Sequence, residues 1–127
     1  MRTIAFIQAR IGSKRLRGKV LLKIKNKTII EIFLKRLSKS KLLNKIVVLI
    51  PLSKENNLLN SRVKSLGFET FRGSENNVLE RFYKASLKYK PTNIVRVTSD
   101  NPLVDPGLVD KMIGMYQKKK LIIYLII

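Results

Sequence analysis

The sequence predicts an α/β fold in which a mainly parallel sheet is flanked by helices within a single domain. Four short apolar, β-branched runs alternate with four stretches of helical periodicity, the pattern of a repeated β-α-β unit. Turn and cap residues fall at the joints between them. A chain of 127 residues that is 45% hydrophobic has enough apolar material for one core.

The elements follow in order. Strands are predicted at Thr3 to Gln8, Lys45 to Ile50, Phe68 to Phe71 and Asn93 to Thr98. Thr28 and Glu31 fit a capping box for the first helix, which repeats Ile29, Ile30, Phe33, Leu34 and Leu37 on one face. The second helix is predicted from about Ser53 to Leu66, with Leu58, Leu59, Val63 and Leu66 inward and Gly67 just past its end. Asn77 or its neighbour caps the third, where Val78, Leu79, Phe82 and Ala85 face the sheet and Pro91 closes the loop that follows. The fourth begins near Pro106 and carries Val109, Met112, Ile113 and Tyr116. No repeat of fixed period and no Gly/Ser linker divides the chain.

The last ten residues, KKKLIIYLII, read differently. Seven apolar residues suit a buried strand but are too few to span a bilayer, and no turn or cap follows them. The expectation is a domain that naturally continues, cut short by truncation or by loss of the reading frame near Lys118.

Composition narrows the chemistry. With no cysteine and no histidine, disulfides, thiolate metal sites and His-based general base catalysis are excluded, so any metal must be held by oxygen ligands. The opening MRTIAFIQAR is neither a secretory signal nor a transmembrane length, and a cytoplasmic protein is expected. The formal charge of +19, from 27 Lys and Arg against 8 Asp and Glu, raises nucleic acid or an anionic membrane as partners. The basic residues form no single stripe and are not interleaved with stacking aromatics, so neither a specific nucleic acid nor a membrane is expected, and anionic small molecules are preferred.

Three segments carry candidate chemistry. Gln8 to Lys19, QARIGSKRLRGK, follows the first strand, where parallel sheets bind ligands at the carboxyl ends of their strands. Gly12 and Gly18 allow close backbone approach, and Arg10, Lys14, Arg15, Arg17 and Lys19 suit phosphate oxygens. A solvated basic loop is the competing reading, and composition does not decide between them; the segment is neither a P-loop nor a dinucleotide fingerprint. RVTSDNPLVDP places Asp100 at the end of the fourth strand, suited either to Mg²⁺ shared with substrate phosphates or to a plain turn. Asp105, before Pro106, reads as a helix cap. FRGSENNVLERF sets Gly73 and Ser74 in a turn, with Glu80 as the acidic partner of the Asn77 cap and Arg81 as an exposed helix residue.

Together these segments resemble the cytidylyltransferases that make CMP-activated acidic sugars, in particular the spore-coat polysaccharide biosynthesis branch. That family's opening loop usually reads Q-A-R-x-G-S-x-R-L-P-G-K-V-L, and the other two segments match its middle and metal-proximal motifs, collinearly from Thr3 to about Tyr116. The resemblance implies a Rossmann-like nucleotidyltransferase fold, incomplete at its C-terminus. It also implies transfer of CMP from CTP to an acidic sugar or sugar phosphate with release of pyrophosphate. By resemblance, Arg10, Arg15 and Lys19 fall on phosphate-binding positions, and Ala9, Gly12 and Ser13 where backbone and hydroxyl meet the nucleotide. Ser74 lies in the middle motif, and Asp100 falls on the aspartate that binds Mg²⁺. Arg15, Lys19 and Asp100 are thus the candidate catalytic residues. Arg17 replaces the usual Pro and Asn77 a usual aspartate. Full-length relatives are expected to be homodimeric, with a later part supplying most of the sugar site. The alternatives are a noncatalytic nucleotide-binding remnant and a basic nucleic-acid-binding module.

Overall fold

The computed structural model describes residues 2–12, 18–99 and 102–119. Strand β1 (Thr3–Gln8) is followed by a 3-10 turn (Lys19–Leu21), the two-residue strands β2 (Lys23–Ile24) and β3 (Lys27–Thr28), and helix α1 (Ile29–Leu37). Then come β4 (Lys45–Pro51), a second 3-10 turn (Lys54–Asn56), α2 (Asn57–Ser65), β5 (Glu69–Gly73), α3 (Val78–Tyr89), β6 (Asn93–Thr98) and α4 (Pro106–Lys119). The main sheet has the order β5-β4-β1-β6, and every adjacent pair is parallel.

Successive side chains of a strand point to opposite faces, so the apolar runs of β1 and β4 supply two cores at once. Ala5, Ile7, Val48 and Ile50 pack on one face with Ile30, Phe33 and Leu34 of α1, Leu59 and Val63 of α2, and Val109 and Ile113 of α4. Ile4, Phe6, Val47 and Leu49 pack on the other with Ala85 and Tyr89 of α3. This alternation explains why the central strands read as unbroken apolar runs rather than as amphipathic ones.

Thr28 caps α1 by accepting the Glu31 N–H at 3.2 Å, and the Glu31 carboxylate faces Lys35 at 3.1 Å and Arg62 at 3.6 Å. Asn77 caps α3 through the Glu80 N–H at 2.9 Å. Gly67, with φ of 91°, ends α2 in the left-handed conformation that glycine adopts without strain. Asp105 accepts the N–H groups of Gly107 and Leu108 at 2.9 and 3.3 Å, the expected cap of α4.

Several expectations are corrected. Helix α2 starts at Asn57, because Lys54–Asn56 closes as a 3-10 turn, and Leu58 is 68% exposed. Leu79, expected inward, is 80% exposed, while Arg81, expected on the surface, is buried. The inward face of α3 runs through Arg81, Ala85 and Tyr89, rotated from the face that contains Leu79. Strand β5 extends to Gly73, leaving Phe68 outside it and packed on the core. The β2–β3 hairpin was not expected: its turn residues Lys25 and Asn26 have φ of 50° and 70°, a geometry usually announced by Asn-Gly. Among the described residues no helix is long and apolar enough to cross a membrane.

Candidate nucleotide site

Because the four main strands are parallel, their carboxyl ends share one edge of the sheet, and the connections leaving them gather there. The central strand β1 delivers the first connection. Ala9 is buried, and its N–H donates to the Leu49 carbonyl at 3.2 Å, which extends the β4 ladder one residue past β1. Arg10 is exposed. Ile11 is then held at both ends of its residue: its N–H donates to Asn56 Oδ1 at 2.8 Å, and its carbonyl accepts the Gly18 N–H at 2.8 Å.

The bond from Gly18 brings the two described ends of this connection, Ile11 and Gly18, together. Gly18 has φ of 75°, a backbone conformation that glycine takes without strain. Lys19 opens the 3-10 turn beyond it, and Val20, buried in the core, anchors that turn. The glycine at position 12 is not required by the fold: a Cβ there would meet Glu55 Oε1 at 3.5 Å, an ordinary contact. Ser13 and Arg15, assigned to the nucleotide by resemblance, lie outside the described residues, as do Lys14 and Arg17.

At the end of β6, Ser99 is buried and its hydroxyl donates to the Gln8 carbonyl at 3.2 Å, tying this exit to the end of β1. Gln8 Oε1 in turn accepts from Arg96 Nη2 at 3.0 Å, and the Arg96 guanidinium lies over the Phe82 ring, 5.2 Å from its centroid. Asp100 lies outside the described residues. Among the described residues no group of three or more Asp, Glu, His or Cys is arranged to hold a metal ion.

The turn after β5 is organised by Arg81. Its Nε and Nη2 donate to the Ser74 carbonyl at 2.9 and 2.7 Å, and Nη2 also reaches the Glu75 carbonyl at 3.3 Å. Ser74 Oγ accepts the Asn77 N–H at 3.1 Å. Arg81 is 1% exposed, and among the described residues its Nη1 has no hydrogen-bond partner. Burial pushes its pKa down from the usual arginine value, the nearby Arg10 charge adds to that, and Glu75 opposes it.

Gly73 makes this arrangement possible, since a Cβ there would lie 2.6 Å from Arg81 Cγ. Gly73→Ala is therefore expected to destabilise the fold by about 1–3 kcal/mol, read as a lower urea midpoint at unchanged m-value. An unchanged midpoint would show that Arg81 can move aside at no cost.

Two of the organising residues escaped sequence reasoning. Asn56 carries no motif signal, since a polar residue before a helix is ordinary. Arg81 had one: from Val78, the positions 81, 85 and 89 recur at helical spacing, which places Arg81 on the buried face.

Comparison with known proteins matches this chain to a family. A family model described as cytidylyltransferase covers residues 4–122. An uncharacterized protein of Methanocaldococcus jannaschii is 51% identical over 113 residues, covering 89% of this chain and 46% of its own length. The spore coat polysaccharide biosynthesis protein SpsF of Bacillus subtilis is 41% identical over 118 residues, covering 89% of this chain and 49% of its own length. The chain thus spans about half the length of these relatives. The structure of a cytidylyltransferase from Leptospira borgpetersenii superposes with a TM-score of 0.90 at 35% identity, over 94% of this chain and 50% of that one. The family-model match over almost the whole length, on a parallel sheet that superposes closely on a solved cytidylyltransferase, places the chain in the cytidylyltransferase family.

Proposed function

We propose that the chain is the nucleotide-binding portion of an enzyme that transfers CMP from CTP to an acidic sugar or sugar phosphate during cell-surface polysaccharide biosynthesis. In that reaction a sugar oxygen forms a bond to the α-phosphorus of CTP, the bond between the α- and β-phosphates breaks, and pyrophosphate leaves. The chemistry asks for charge neutralisation and in-line placement more than for a nucleophilic side chain.

The observation that carries the reading is the bond from Gly18 N–H to Ile11 C=O, which holds the described ends of the basic segment, next to Arg10 and Lys19, beyond the carboxyl end of the central strand. Arg10 and Lys19 flank that closure and, with Arg15, would meet the triphosphate oxygens through charge-assisted bonds. The N–H of Ala9 is already engaged with Leu49, so a ligand would not take that donor. The name of the Bacillus subtilis relative supports a role in polysaccharide biosynthesis.

Mg²⁺ fits the donor chemistry, since the chain offers oxygen ligands alone, and Asp100 is the carboxylate that would hold it. One protein carboxylate is a weak site by itself, so the ion would enter with the nucleotide; when bound, it neutralises charge on the triphosphate. With Mg²⁺ present, CTP at a hundredfold excess over its dissociation constant is expected to stabilise the fold by about 2.7 kcal/mol, a rise of several degrees in the melting temperature. A shift no larger than that from salt of equal ionic strength would count against the reading.

The alternative reading is nucleotide binding without turnover. Pyrophosphate release on addition of CTP and acidic sugars separates the two: release supports transfer, and thermal stabilisation without release supports binding alone.

A further inference from the structure

The loop after β1 is held in place by one side chain from a different connection. Asn56 closes the 3-10 turn before α2 and is 1% exposed. Its Oδ1 accepts the Ile11 N–H at 2.8 Å, and its Nδ2 donates to Ser53 Oγ at 2.7 Å, which fixes which end of the amide faces Ile11. The same connection is braced from β5: Arg72 donates to the carbonyls of Pro51, at 3.0 and 2.9 Å, and Ser53, at 3.2 Å. A polar chain therefore runs from Arg72 through Ser53 and Asn56 to Ile11, and on through the Ile11 carbonyl to Gly18.

Burying an amide is costly unless its hydrogen bonds are made, and an apolar residue would fill the space at Asn56 without that cost. What the asparagine adds is a fixed acceptor for the first residue of the loop's closed base. We infer that Asn56 is a positioning residue for polyphosphate binding: it sets the Ile11 peptide, and so the Ile11–Gly18 contact that Arg10 and Lys19 flank, before the ligand arrives. The inference rests on the nucleotide reading above. It adds a residue outside the three motifs, with an effect on the triphosphate rather than on the sugar.

The test uses the full chain, with inorganic tripolyphosphate and Mg²⁺-CTP as probes. Asn56→Ala is expected to weaken binding of both by about tenfold in calorimetry, the size of one lost hydrogen bond in a preorganised site. Without ligand, it is expected to speed hydrogen exchange of the Ile11 and Gly18 amides at least tenfold while leaving those of Ala5 to Ile7 in β1 unchanged. Asn56→Asp, which keeps an acceptor oxygen, is expected to restore protection at Ile11.

Wild-type affinity in a folded Asn56→Ala protein would overturn the inference. So would exchange that rises equally in β1 and the loop, which marks global destabilisation. Failure of the wild-type chain to bind either probe would instead overturn the nucleotide reading, and this inference with it.

Discussion

Lys19→Met is expected to weaken CTP binding by about 1.5–3 kcal/mol, a loss of roughly ten- to a hundredfold, with little change in the unfolding midpoint. The residue's structural work is done by its backbone: the Lys19 carbonyl accepts the Leu22 N–H at 3.1 Å inside the 3-10 turn, and neighbouring Val20 supplies the buried anchor. Methionine keeps the length and the helical compatibility of the side chain and removes the charge. Titration calorimetry of wild type and variant at two salt concentrations checks the result. A genuine phosphate contact lowers affinity and flattens the salt dependence together. An effect equal to that of Lys54→Met, a lysine outside all three motifs, would return the loop to the status of a solvated basic segment.

The second large effect concerns the fold. Phe6→Ala is expected to cost about 3–5 kcal/mol, because a fully buried aromatic at the centre of the sheet leaves a cavity that its neighbours cannot fill. Phe6 meets Phe82 and Tyr89 edge-on, with ring centroids 6.0 and 6.3 Å away, and so joins β1 to α3. Domains of this size have about 5–15 kcal/mol of stability in total, so the variant should retain little folded population on mild heating. Urea denaturation followed by circular dichroism measures the difference. A loss below about 1 kcal/mol would mean that α3 packs independently of this contact.

Which residues were legible in advance follows from the range of the forces involved. The cap of α1 at Thr28 and that of α3 at Asn77 depend on neighbours three residues away, so the sequence around them suffices. The strands β1 and β6 are recovered to their end residues, since β-branched runs between turn residues are a local signal. Leu58 and Leu79 were placed inward because helical spacing tolerates a rotation of the apolar face, and only packing against a particular sheet chooses among rotations. Arg81 went to the surface on its charge alone, and its burial rests on carbonyls of a turn seven residues earlier.

For the site, the three collinear segments QARIGSKRLRGK, FRGSENNVLERF and RVTSDNPLVDP carried the family resemblance, and the place of the first after a strand led to the expectation of a ligand at the carboxyl edge of the sheet. Only the tertiary structure decided how that segment is held. The hydrogen bond of Asn56 to Ile11 spans 45 residues, that of Ser99 to Gln8 spans 91, and the collision that reserves position 73 for glycine depends on Arg81 lying beneath it. Such contacts leave no trace in local composition: each joins residue types that are unremarkable alone and become specific when the parallel sheet brings the ends of its strands to one edge.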